Sequence, residues 1–358
     1  MKIIQTVNNH LDGSYTVRND LLVDQLVLVD GQPGCGKTLF SSIVAAIERV
    51  ELLNYSFELE NLCALYYLNK ITKDAVESMI RIQMDTEIYE TMMSRRTNFR
   101  PGDLSSIYRD VDWLTYLKRL FQKGDEIIPA RILKEKPILH FATHNLLSFS
   151  EPIFSSLEDK VSLIEIVRHP LYMLIQQTLN QINWYKSPNT ARQFHLFIKH
   201  GNQQVPFWNY GQEELYINSN PVERAIYEMK KLTELSENYK KQKLGANEAQ
   251  VLTIPFEDFV LNPWPYLKKI ENLLGSKMTS KTRRIIKKQN IPRKKISDGI
   301  PLAIYKRCGW EAPDHSLSEK EELEKRRQFA EDQGASDHSL EVLDNICKEY
   351  ETHYFKIN

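Results

Sequence analysis

Gly31-Gln32-Pro33-Gly34-Cys35-Gly36-Lys37-Thr38 fits the spacing G-x-x-x-x-G-K-[ST], a glycine-rich loop built to hold phosphate. The chemistry of that spacing is anion binding. Backbone N–H groups turn inward, a helix N-terminus adds partial positive charge, and a lysine reaches the outer phosphate. Other residues of the right type follow at strand ends: His144 in Ala142-Thr143-His144-Asn145, and Arg168 in Glu165-Ile166-Val167-Arg168-His169-Pro170. An imidazole titrates near neutral pH and suits proton transfer from a hydroxyl. A guanidinium fork matches the oxygens of a phosphate. Glu257 and Asp258 also follow a strand, where a base or a metal ligand could stand, and read first as caps of the helix after it.

These residues need a scaffold that brings strand ends together. Gln25–Val29 before the loop reads as a buried strand, and Leu39–Val50 after it as a helix with no Gly or Pro. Further apolar strands are expected at 137–143, 160–167 and 250–255, with 160–167 nearly continuous, as a central parallel strand should be. Helical spacing marks most of 55–135, interrupted by a polar loop at Pro101-Gly102, then 171–185 and 221–243. The last of these opens on Asn220-Pro221, an N-cap with proline at N1. Residues 1–24 are polar, and a turn at Asp12-Gly13 suggests a short hairpin.

Strands alternating with helices predict an α/β fold: a doubly wound parallel sheet of P-loop type with helices on both faces. The helical insertion is expected over 55–135. A single domain is expected over 1–310, and a charged C-terminal helical extension over 311–358.

Composition narrows the setting. The 358 residues carry 47 Lys+Arg and 47 Asp+Glu, so no net field draws the chain to nucleic acid or membrane. The nine basic residues of 277–295 read as a solvated helix face. Cys35, Cys63, Cys308 and Cys347 lack metal-ligand spacing and read as free thiols. No apolar run spans a bilayer and the first residues lack a signal-peptide core, which predicts a cytoplasmic protein with no membrane or nucleic-acid partner.

In order and spacing, three elements resemble the sulfotransferase family, which uses 3′-phosphoadenosine 5′-phosphosulfate (PAPS): the loop GQPGCGKT, the Thr143-His144 pair, and the strand running into Arg168-His169-Pro170. The segment TIPFEDFVLNPWPYLKKIENLLG resembles a fourth family element, and the likeness covers about residues 25–275. It implies that Gly34, Cys35, Gly36, Lys37, Thr38 and Leu39 surround the 5′ phosphosulfate. It further implies that Arg168 holds the 3′-phosphate and that His144 is the catalytic base beside Lys37. The chain departs from the family in four places. Gly34 stands where a Lys or Arg is usual, with Lys37 in place of a Thr. Gln176 replaces a serine that touches the phosphate. Leu39, beside Phe40, replaces an aromatic residue. Arg307-Cys308-Gly309-Trp310 stands for an Arg-Lys-Gly element.

The intact Gly-Lys-Thr also fits a kinase or NTPase that binds ATP or GTP with Mg²⁺ on Thr38. Against it, the strand 160–167 ends in cationic Arg-His-Pro, where Mg²⁺ needs an anion. A nucleotide-binding module without turnover is a third reading. Neither the acceptor nor the oligomeric state is written in the sequence. Arg95, Arg96, Asn98 and Arg100 form a second polar cluster, a surface loop or a wall of the acceptor pocket.

Overall fold

The structure is a computed structural model that describes residues 14–183, 185, 189–296 and 316–354. Along the chain, β1 (Gln25–Asp30) and α1 (Lys37–Val44) lead into four helices: α2 (Phe57–Tyr67), α3 (Lys73–Met92), α4 (Trp113–Arg119) and α5 (Ile128–Glu135). Then come β2 (Ile138–Ala142), α6 (Glu151–Leu157), β3 (Val161–Val167), α7 (Pro170–Asn183) and a hairpin of β4 (Phe197–His200) and β5 (Gln203–Pro206). The rest is α8 (Glu213–Asn218), α9 (Pro221–Tyr239), β6 (Val251–Pro255), α10 (Phe256–Leu261), α11 (Trp264–Leu274) and α12 (Ser280–Lys288). Two C-terminal helices follow, α13 (Glu319–Asp332) and α14 (Asp337–His353).

Four parallel strands form the main sheet in the order β2-β1-β3-β6, with Leu28 opposite Phe141 on one side and Leu163 on the other. From Leu26 to Asp30 every residue of β1 is buried, because both faces of the sheet are covered. Val27 and Val29 pack with Phe40 and Ile43 of α1 and with Ile270 of α11, while Leu26 and Leu28 pack with Leu59, Ile80 and Met84 of α2 and α3. The expected doubly wound sheet is present, and its strands lie where the apolar runs placed them. The chain goes from β1 to β2 on one side and then to β3 on the other. The loop after β1 therefore stands at a topological switch point, the place where such sheets bind ligands.

Two local differences have physical causes. The helix after the loop ends at Val44 rather than Val50. The Thr282 hydroxyl takes the carbonyl of Ala46, Lys277 O accepts from Glu48 N, and Glu51 N donates to Ile138 O at 2.9 Å, so the chain turns to run beside β2. The β4–β5 hairpin was not expected. Its turn holds Gly201 at φ 57, and Gly201-Asn202 is a hairpin dipeptide that the sequence does carry. The Asp12-Gly13 turn lies outside the described residues.

The Asn220 cap is as expected. Its side chain accepts from Val222 N and Glu223 N, both at 3.1 Å, and Glu223 reaches back to close a capping box. On α12, Thr282, Ile285 and Ile286 are buried while Arg283, Arg284, Lys287 and Lys288 face water, so this part of the basic run is a solvated helix face. From the expected C-terminal extension, Leu323, Ala330, Leu343 and Ile346 join the same core as α7 and α9. Among the described residues no helix is long and apolar enough to cross a membrane.

Candidate active site

The glycine-rich loop is shaped by two glycines that tolerate no side chain. Gly36 sits at φ 104, and a Cβ there would come within 2.3 Å of the Phe256 ring. Gly31 sits at φ 143, and its Cβ would meet the Ile166 carbonyl at 2.4 Å. Cys35 N donates to Gln32 O at 3.1 Å and closes the turn, so that α1 starts at Lys37 with no side-chain cap over its first amides. Lys37 bends back: its Nζ donates to the carbonyls of Gly31 and Gln32.

Asp30, at the end of β1, fixes the turn that follows β2. Its carboxylate accepts from Thr143 Oγ1 at 2.8 Å, Leu146 N at 3.0 Å and Leu147 N at 2.8 Å. This turn puts His144 over Glu60, the last acidic residue of the first turn of α2. Glu60 Oε1 accepts from His144 N at 2.9 Å and lies 3.1 Å from Nδ1. A carboxylate on Nδ1 makes that nitrogen the donor and leaves the Nε2 lone pair as the basic site. Near-parallel rings of Tyr55 and Phe57 stand 6.3 Å from the imidazole. His144 lines a cavity of about 610 Å³ together with Gly34, Gly36, Lys37, Thr38 and Gln176.

Arg168 leaves the end of β3 on the other side of the loop. Its Nη1 donates to Gly34 O at 2.8 Å, and its guanidinium lies 4.3 Å from the Phe256 ring centroid and 5.2 Å from that of Tyr172. Among the described residues its buried Nε has no hydrogen-bond partner and forms an ion pair with Glu257 Oε1 at 3.7 Å. Glu257 does not cap its helix. It is fully buried and accepts from His169 N at 3.2 Å and from Tyr350 Oη of α14 at 2.5 Å. Asp258 accepts from Tyr266 Oη at 2.5 Å.

The expected site residues thus divide. Gly34, Gly36, Lys37, Thr38, His144 and Gln176 face one cavity; Arg168 grips the loop from outside that cavity. Cys35 and Leu39 are turned into the core with Phe40, and burial pushes the Cys35 thiol up. Arg307 lies outside the described residues. In the second polar cluster, Arg95 pairs with Asp125, Arg96 with Glu87 and Glu90, and Arg100 with Asp103. The cavity is lined instead by the residues just after them, among them Asp103, Ser105 and Arg109.

Carboxylates near the loop already have partners. Glu165 at the end of β3 accepts from Lys240 Nζ at 3.0 Å and Thr253 Oγ1 at 2.7 Å. Among the described residues no group of three or more His, Cys, Asp or Glu could hold a metal.

Sequence reasoning missed Glu60 and the far wall of the cavity. No spacing signal links Glu60 to a histidine 84 residues away. At the far wall, Glu228 of α9 accepts from Gln181 Nε2 at 2.8 Å, Trp208 Nε1 at 3.0 Å and Asn209 Nδ2 at 2.7 Å. Burial pushes its carboxyl up to about 7, against donors that favour the charged form. Between the ordinary carboxylate range and that value, the folded protein keeps a proton that the unfolded chain has released. Stability contributed by this group therefore falls as pH rises through that window. Glu228→Gln should flatten the fall, so its melting temperature should drop less than that of wild type between about pH 5 and about pH 8. Parallel melting curves in the two proteins would refute the assignment.

No family model matches the chain, and no curated protein matches it by sequence. Among solved structures it is similar to several sulfotransferases, including the three that follow. One is the sulfotransferase domain of the Synechococcus PCC 7002 olefin synthase, at 13% identity over 94% of this chain and 98% of that one, with a TM-score of 0.39. Another is STF9 from Mycobacterium avium, at 12% over 95% and 78%, with a TM-score of 0.40. The third is mouse SULT7A1 complexed with PAP, at 12% over 94% and 90%, with a TM-score of 0.34.

Proposed function

We propose that this chain is a sulfotransferase-like enzyme that moves a sulfuryl group from PAPS to a hydroxyl or amine of an acceptor. The observation that carries the reading is one cavity that holds both the phosphate loop with Lys37 and a histidine whose Nδ1 is held by Glu60. The glycine cradle and the uncapped start of α1 fit a phosphosulfate, and the guanidinium of Arg168 beside the loop suits a further anionic group nearby.

The bound cofactor would supply the activated sulfuryl group and a phosphate leaving group. The protein's part is positioning, charge and a base. Lys37 would exchange the carbonyls of Gly31 and Gln32 for the oxygens around the transferring group, and Thr38 would donate to the same phosphate. Gln176, beside Gly34, would reach the phosphate in place of a shorter serine. His144 Nε2 would take the acceptor's proton, and Glu60 would stabilise the imidazolium so formed. Arg168 would clasp the 3′-phosphate. The carboxylates next to the loop support this reading over Mg²⁺-dependent hydrolysis, because both oxygens of Asp30 and Oε2 of Glu165 already accept hydrogen bonds.

Calorimetry separates the two chemistries. Adenosine 3′,5′-bisphosphate should bind more tightly than ADP in the absence of Mg²⁺, and Arg168→Ala should erase most of that preference. Binding of ATP or GTP that is tighter and requires Mg²⁺ would sink the reading.

A further inference from the structure

We infer that the acceptor is a carbohydrate, a pyranose ring with several free hydroxyls, held in the part of the cavity beyond His144. The inference rests on the sulfuryl-transfer reading for its chemistry, but its evidence is separate. Three residues that line it each carry a buried polar atom with no hydrogen-bond partner among the described residues: Asn145 Oδ1, Gln193 Nε2 and His195 Nε2. Buried polar groups are normally satisfied, so three unmet ones around one cavity point to a ligand that meets them.

Their types decide what the ligand is. Asn145 offers an acceptor, Gln193 a donor, and the His195 imidazole, kept neutral by burial, offers one or the other. A carboxylate or phosphate could satisfy Gln193 but would face the Asn145 carbonyl. An ammonium group has the opposite failing. A phenol has one hydroxyl, and His144 uses it. Hydroxyls both donate and accept, so several on one molecule fit all three atoms.

The remaining wall is aromatic. Phe57 and Phe194 meet at 5.2 Å, Phe207 and Trp208 at 5.3 Å, and His195 packs 4.6 Å from Trp208. Such faces suit the C–H surface of a sugar ring, which is apolar where its hydroxyls are not. Trp208 is fixed by its hydrogen bond to Glu228, so this platform is set before a ligand arrives. In the reaction, the sugar O–H gives its proton to His144 Nε2 and its oxygen bonds to sulfur. The sulfur–oxygen bond to the 5′-phosphate breaks, and its electron pair stays on the phosphate of adenosine 3′,5′-bisphosphate.

Saturation-transfer NMR and calorimetry with the full chain, with and without adenosine 3′,5′-bisphosphate, test the inference. The probes are cellobiose, maltose, lactose and methyl mannoside, set against 2-naphthol. At least one sugar should bind saturably. Gln193→Leu and His195→Phe should each weaken it roughly tenfold, as for one lost hydrogen bond. Both variants should bind adenosine 3′,5′-bisphosphate as wild type does, which shows that they are folded. Saturable binding of 2-naphthol with none by any sugar overturns the inference, as does sugar affinity that both variants leave unchanged. Sugar binding without sulfation from PAPS would leave this site standing and sink the transfer reaction instead.

Discussion

A His144→Ala variant should lose roughly 10²–10⁴-fold in single-turnover sulfuryl transfer while binding adenosine 3′,5′-bisphosphate as wild type does. The split follows from geometry. His144 touches the cavity through a partly exposed imidazole, with 39% of its side chain exposed, whereas the phosphate loop is built by Gly31, Gly36 and the start of α1. Removing the ring takes away a proton acceptor and leaves the cradle intact. Glu60→Gln separates positioning from structure. It keeps the size of the side chain but removes the charge that faces the imidazole, so turnover should fall while nucleotide affinity holds. A histidine that merely packs between Tyr55 and Phe57 would leave turnover where it was.

For stability, the largest loss is expected from Glu51→Ala. Glu51 follows the turn after α1 and is buried beneath α4. Its carboxylate takes both Nη atoms of Arg119, at 2.6 and 2.8 Å, and Tyr116 Oη at 3.0 Å. The two charged side chains are only 6% and 7% exposed. Truncating one partner leaves a guanidinium stranded in the interior, at a cost of about 3–5 kcal/mol. Replacing both residues by leucine and methionine removes the charge together with its partner and should cost far less. Urea unfolding reads both variants. A Glu51→Ala loss within the range of an ordinary surface change, with the same slope, would mean that water reaches the pair.

The sequence carried the sheet and the phosphate loop because both are local. A run such as Gln25–Val29 declares a doubly covered strand by itself, and eight consecutive residues write the loop. The order of strand, loop and helix then places His144 and Arg168 at one edge by topology alone. What was not legible is long-range. Glu60 meets His144 across 84 residues, and Tyr350 meets Glu257 across 93. Neither pair has a periodicity or motif to announce it. The true end of α1 was hidden for the same reason, since Thr282 and Lys277 terminate it from a distant helix and its lead-in. The Gly201-Asn202 turn differs: its signal is local and was overlooked between less regular segments. Arg95, Arg96 and Arg100 read from the sequence as either a charged surface loop or a wall of the acceptor pocket, and nearby carboxylates take each of them, as in a surface loop.

The brace behind Arg168 has a consequence for how the protein is made. Glu257 is held by Tyr350, His169 by Glu351 at 3.1 Å, and Tyr172 by Glu319 at 2.5 Å. All three outside partners belong to α13 and α14. A nascent chain that has emerged only as far as α12 already owns its glycine-rich loop, its histidine and all four sheet strands. It still lacks the groups that fix the surroundings of Arg168. Under the proposed function, nucleotide affinity should therefore arrive late in synthesis, after the sheet has closed.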